Sequence, residues 1–153
     1  MKLLTNPADI DRTQWQALLD RSPVASIFQT PEMYNFYAEL QLYDTSVCAV
    51  EENGTIKGLV LCLIQSEGKG LKGHFTARAI INGGPLLDAD ISSEALQALL
   101  STTVKTLRHR CIYIETRNLN DYSRWGKTFE ACGFSYVAHY NFHIDTSDPV
   151  QVD

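Results

Sequence analysis

No apolar run in this chain approaches the roughly 20 residues that a membrane-spanning helix requires, so no segment reads as a transmembrane span. A secretory signal is missing as well. Met1-Lys2-Leu3-Leu4 gives way at once to Thr5, Asn6, Pro7 and Asp9, leaving no apolar h-region. The net charge of -5 lacks the basic footprint of a DNA-binding protein. The one local basic cluster, Lys105, Arg108 and Arg110, is placed to complement a helix C-terminus. Cys48, Cys62, Cys111 and Cys132 form no C-x-x-C pair and lie among apolar residues, where thiols act as small hydrophobes. Together these absences point to reduced thiols, a cytoplasmic location and no DNA partner. The chain also lacks an internal repeat, a low-complexity tract and a G-x-S-x-G nucleophile motif.

What is present suffices for one domain, since 153 residues can bury a core without disulfides or metal. Asp11 with Gln14 three residues later reads as a capping box, and Ile10 with Trp15 as a staple, starting a helix whose buried stripe is Trp15, Leu18 and Leu19. Thr30-Pro31-Glu32 starts a second helix, with Met33, Phe36, Tyr37 and Leu40 at helical spacing. Strands are expected over 46–51 and 55–65, joined by Asn53-Gly54, a strong hairpin signal. Leu59 to Ile64 is apolar throughout, so that strand should be covered on both faces. A third strand is expected over 75–81, ended by Asn82-Gly83-Gly84-Pro85. A long helix over 92–109 follows, capped by Ser92, with Leu96, Leu99, Leu100, Val104 and Leu107 toward the core.

Strand 111–117 then leads to a helix bearing Tyr122, Trp125, Phe129 and Cys132, which Gly133 stops in the left-handed conformation. A final strand over 135–144 alternates Tyr136, Ala138, Tyr140, Phe142 and Ile144 with polar residues. The order ααβββαβαβ describes one α/β (α+β) domain with a mixed, mostly antiparallel sheet flanked by helices.

Several motifs carry two readings. Gln65-Ser66-Glu67-Gly68-Lys69-Gly70 matches the acyl-CoA pattern Q/R-x-x-G-x-G/A, which works by aiming backbone N–H groups and a helix N-terminus at pyrophosphate. A strand follows it here, so it also reads as a glycine-rich connection. The loop placed for phosphate is 82–92, where Gly83 and Gly84 permit close backbone approach. Pro85 removes a donor there, and Asp88 and Asp90 would repel an anion. That loop is therefore either a site for a neutral ligand or a tight turn. His139, Asn141, His143 and Asp145 share one strand face. The two histidine α-carbons are roughly 13 Å apart at strand rise, too far for one metal ion, so the face reads as a polar solvent- or domain-facing surface or, through one His, as the place of a base. Glu115 and Arg117 share a face with Tyr113, either as an ion pair or, with Asn118, as the lining of a cleft at the sheet's carboxyl end. Arg78 allows the same two readings, and Gln29 and Tyr34 read as substrate contacts beside that cleft, Tyr34 equally as a core residue.

Four ordered segments resemble the FemAB-like family, which is built of two GNAT-type acyltransferase domains and includes the peptidoglycan interpeptide-bridge aminoacyltransferases. They are Ile27-Phe28-Gln29-Thr30-Pro31-Glu32-Met33-Tyr34, Ile81-Asn82-Gly83-Gly84-Pro85-Leu86, Tyr113-Ile114-Glu115-Thr116-Arg117-Asn118, and Gly133-Phe134 leading to His139-Tyr140-Asn141-Phe142-His143-Ile144-Asp145. The resemblance implies a GNAT-like domain over 1–145, matching the family's N-terminal half, with 146–153 as a polar tail or linker. It implies acyl or aminoacyl transfer to an amine, such as that of a peptidoglycan precursor in cell-wall synthesis. The donor would be aminoacyl-tRNA or acyl-CoA, with no tightly bound cofactor and no metal. Activity of this half alone would be weak or nil without a second GNAT-like half or a homodimer. The substrate-binding set is Gln29, Tyr34, Arg78, Gly83, Gly84, Glu115, Arg117, Asn118, His139 and Asn141, with no catalytic base named. Two alternatives stand beside this reading: a complete GNAT N-acetyltransferase using acetyl-CoA, and a binding module without chemistry.

Overall fold

The computed structural model describes residues 1–40, 43–68, 73 and 75–140. Its elements run β1 (Lys2–Leu4), α1 (Arg12–Arg21), α2 (Pro31–Glu39), β2 (Asp44–Glu52), β3 (Thr55–Gln65), β4 (Arg78–Gly83), β5 (Leu86–Leu87), α3 (Ser93–Leu107), β6 (Tyr113–Asn118) and α4 (Gly126–Ala131). One sheet has the strand order β1-β2-β3-β4-β6, with β5 pairing back onto β3. Among the described residues all pairs are antiparallel except β4 with β6. This is the mixed, mostly antiparallel α/β architecture read from the pattern.

Local chemistry sets most of the boundaries. Asp11 Oδ1 accepts the Gln14 N–H at 2.9 Å, Thr30 Oγ1 accepts that of Met33 at 3.1 Å, and Ser92 Oγ accepts that of Ala95 at 3.0 Å. Each satisfies a donor that the first helical turn leaves without a partner. Gln14 does not close a capping box; its Oε1 accepts the Ile56 N–H at 2.9 Å and ties α1 to β3. Asn53 and Gly54 are both left-handed, with φ of 51° and 80°, the backbone a two-residue hairpin demands. Gly133, at φ 87°, ends α4. The Phe134 N–H then reaches Phe129 O at 3.1 Å, and the two rings meet edge to face at 5.6 Å.

Strand β3 is covered on both sides. Val60, Cys62 and Ile64 pack with Leu96, Leu99 and Leu100 of α3, while Leu59, Leu61 and Leu63 pack with Trp15 and Leu18 of α1. Full burial of each such leucine contributes about 1.5–3 kcal/mol relative to exposure.

Three expectations shift. On α2 only Tyr37 and Pro31 are buried, while Phe36 is 53% exposed. That helix lies over β2 near the sheet margin, so a narrow line of it meets the core. Strand β4 begins at Arg78, not Phe75. Thr76 Oγ1 accepts the Glu67 N–H at 2.9 Å and closes the connection locally, leaving Phe75 exposed. The last expected strand is not formed over 135–140, and positions 141–144 lie outside the described residues. A period-two pattern sets two faces but supplies no ladder partner, and Tyr136 and Tyr140 stand 84% and 93% exposed.

Candidate functional site

Alternation along β4 and β6 sorts their side chains into two sets. Ala79, Ile81 and Ile114 join the core under α3. The in-register partners Arg78 with Tyr113, Ile80 with Glu115, and Asn82 with Arg117 therefore face the other way, toward the α1–α2 side. Helices α1 and α2 cover β2 and β3 there, and among the described residues no helix covers β6 on that side, where Tyr113 and Arg117 are exposed and Arg78 and Glu115 half-buried. Arg117 Nε donates to Glu115 Oε1 at 2.7 Å. A hydrogen bond to Tyr113 raises the pKa of Arg78, with Glu67 and Glu115 adding to the effect. Burial pushes the Tyr37 hydroxyl up while its bond to Asn82 opposes this, placing the phenol at the inner margin of the patch. The result is a polar face with both signs of charge and aromatic borders.

A second group of the expected residues is closed rather than open. Gln29 is 1% exposed; its Nε2 donates to Gly84 O at 2.6 Å, and its Oε1 accepts the Ser26 N–H at 2.8 Å. Trp15 Nε1 donates to the Gln29 carbonyl at 2.7 Å. The Tyr122 hydroxyl lies 2.7 Å from Pro85 O and 3.1 Å from Gly83 O, and burial pushes its pKa up, so it remains a donor. Gly83 and Gly84 are left-handed, with φ of 77° and 81°. A Cβ on Gly83 would strike Ser26 Oγ; one on Gly84 would lie 2.5 Å from the Tyr122 hydroxyl and 2.6 Å from Asn118 Oδ1. Close approach to these glycines comes from the chain's own side chains. Among the described residues no buried side-chain polar atom lacks a partner.

The helix end facing the 82–92 loop is also occupied. Glu52, at the tip of the β2–β3 hairpin, accepts the Ser92 Oγ–H at 2.7 Å and the Ser92 N–H at 3.3 Å. A carboxylate thus stands where the positive end of α3 would hold an anion. Asp88, in contrast, is neutralised: Arg21 and Lys57 both bind it, and Lys57 also reaches Asp90 at 2.6 Å. Burial opposes ionisation of Asp88, but these partners and the Asp90 backbone outweigh it and hold its pKa down to about 2. The repulsion expected from Asp88 is therefore compensated, and the acidic group that matters is Glu52. Nothing near Glu52 in sequence marks that role, and Tyr122 reads as an ordinary core aromatic.

Of the expected set, Tyr113's neighbours Glu115, Arg117 and Asn118 line, with His139, one cleft of 1460 Å³ between β6 and 133–139. Arg78 borders this group through Tyr113. Gln29, Gly83 and Gly84 form the closed post behind it, and Tyr34 packs beside Trp15 with ring centroids 6.1 Å apart. Asn141, His143, Asp145, Lys69 and Gly70 lie outside the described residues. Among the described residues no three His, Cys, Asp or Glu side chains gather as metal ligands.

Solved structures share this fold. FemX superposes with a TM-score of 0.66 at 19% identity, over 88% of this chain and 32% of its own. Glucosamine-6-phosphate N-acetyltransferase from Arabidopsis thaliana gives 0.60 at 13% identity, over 95% of this chain and 100% of its own. The chain has the GNAT fold. Aminoglycoside N-acetyltransferase AAC(6')-Iy, solved in complex with CoA, gives 0.56 at 11% identity, over 94% and 98%. No protein-family model matches the sequence, and no curated protein matches it. The chain thus spans about a third of FemX but nearly the whole of these GNAT acetyltransferases. Among the described residues no helix is long and apolar enough to cross a membrane.

Proposed function

We propose that this chain is the acceptor-binding half of a FemAB-like acyltransferase and helps transfer an acyl or aminoacyl group to an amine. The acceptor is a peptidoglycan-precursor-like peptide laid on the open β4–β6 face. Glu115 orients its amine, and Arg78 and Arg117 hold carboxylate groups along the peptide. Direct attack of the amine on the acyl carbonyl requires orientation and proton removal rather than a protein nucleophile. Alone, the half has weak or no turnover; a second half completes it, and the work is done in the cytoplasm. The observation that carries this reading is Glu52 at the start of α3, which disfavours a phosphate-bearing cofactor at that helix end.

The near full-length match to GNAT acetyltransferases, one of them solved with CoA, supports the rival reading of a complete acetyl-CoA enzyme. Thermal shift separates the two, because a ligand that binds the native state raises its stability. Millimolar acetyl-CoA is expected to leave the melting temperature unchanged, while a precursor peptide with a free side-chain amine raises it. Stabilisation by acetyl-CoA without stabilisation by the peptide would overturn the proposal.

A further inference from the structure

On the β4–β6 face Glu115 stands between two guanidiniums. Register sets the order: Arg78 with Tyr113 in one row, Ile80 with Glu115 in the next, Asn82 with Arg117 in the third. Successive rows are roughly 6.6 Å apart at strand rise. Ile80 is buried, so the middle row offers a ligand the Glu115 carboxylate alone. Glu67 also acts on Arg78, but its backbone is bonded to Thr76, beyond Arg78 and away from Glu115. The Glu115–Arg117 pair uses one oxygen and one nitrogen, Oε1 and Nε at 2.7 Å. Among the described residues neither side chain makes a second ion pair, and both are open enough to solvent for a ligand to reach. A ligand that meets this pair therefore meets both signs at once. A plain alkylammonium gains Glu115 but faces Arg117 at contact and Arg78 a row away, and these like charges oppose it. An ammonium and a carboxylate on one carbon are themselves a close pair of charges. The two pairs match crosswise, ammonium on Glu115 and carboxylate on the Arg117 fork.

We propose that the acceptor amine belongs to an α-amino-acid end group, a carbon bearing both ammonium and carboxylate as in a diaminodicarboxylic acid, and not to a lysine-type alkylamine. The inference rests on the acceptor reading above and names the class of amine within it. Arg117 sets the choice, because its fork takes the carboxylate next to the amine. Arg78, a row away, takes the next carboxylate along the peptide. Exposed ion pairs contribute little by themselves. A peptide lying over the face excludes water from these charges, and hydrogen bonds between charged groups then discriminate strongly.

The test is calorimetric titration of three precursor-type tripeptides into the full chain and into Arg117→Gln. The peptides differ only at the third residue, which is meso-diaminopimelate, L-lysine, or diaminopimelate with its side-chain carboxylate amidated. The wild type is expected to bind the diaminopimelate peptide at least about tenfold more tightly than either of the others. Arg117→Gln is expected to bind all three alike. Equal or tighter binding of the lysine peptide by the wild type overturns the inference and leaves the acceptor reading standing. A carboxamide that binds like the acid does the same, as does a preference that survives in Arg117→Gln. Binding of none of the three overturns both the inference and the acceptor reading.

Discussion

Replacing Gly84 with alanine should destabilise this domain far more than the same change at Gly54. Both glycines are left-handed, with φ of 81° and 80°. A Cβ costs roughly 1–2 kcal/mol in that conformation at either position. At Gly54 nothing lies within 4 Å of the added atom, so the cost stops there. At Gly84 the methyl would sit 2.5 Å from the Tyr122 hydroxyl and 2.6 Å from Asn118 Oδ1. Tyr122 must withdraw, its bond to the Pro85 carbonyl breaks, and a buried acceptor is left without a donor, a further penalty of about 1–3 kcal/mol. The sum, roughly 2–5 kcal/mol, is a large part of the typical total of about 5–15 kcal/mol. Urea unfolding followed by far-UV circular dichroism measures both variants. Equal losses for Gly84→Ala and Gly54→Ala would show that the post of Gln29, Tyr122 and Asn118 does not grip this loop.

Asp88 makes stability depend on pH in a defined window. Its pKa is depressed to about 2, so its contribution of about 2 kcal/mol is full above the unfolded value near 4 and is lost as pH falls toward 2. Asp88→Asn should flatten that acid limb, and it costs about 1–3 kcal/mol at neutral pH, because Arg21 loses its carboxylate while Lys57 keeps Asp90. An unchanged acid limb in urea melts run across that range would count against the ion-pair account. Among the thiols, burial pushes Cys48 up to about 11 and raises Cys62 and Cys111 as well, while Cys132 is only half-buried. Titration of the native chain with a disulfide reagent should therefore label Cys132 alone within minutes and all four after unfolding; rapid labelling of Cys48 or Cys62 would contradict the packing under α3.

Features set within a few residues were legible in the sequence. Asp11, Thr30 and Ser92 cap their helices, Asn53-Gly54 turns the hairpin, and Gly133 stops α4, because each acts on its own neighbours. Features made across the fold were not legible. Gln29 meets the Gly84 carbonyl 55 positions away, Glu52 reaches Ser92 across 40, and Arg21 neutralises Asp88 across 67. The 82–92 loop therefore looked acidic and open, when Asp88 is paired and the glycines are packed. The 135–140 segment shows the complementary limit: its alternation is that of a strand, but alternation does not name the edge to which a strand adds. The β4–β6 face was partly readable, because Tyr113, Glu115 and Arg117 share one side of a strand; the parallel register that sets Arg78 beside them was not.

An amine-bearing peptide acceptor on the β4–β6 face would be revealed by calorimetric titration of a precursor peptide into wild type and Arg117→Ala. The Arg117 side chain is 51% exposed, so its removal should leave the melting temperature unchanged. The peptide is expected to bind the wild type and to lose at least about tenfold in affinity for the variant, or about 1.4 kcal/mol. Equal affinity for both proteins would contradict that placement.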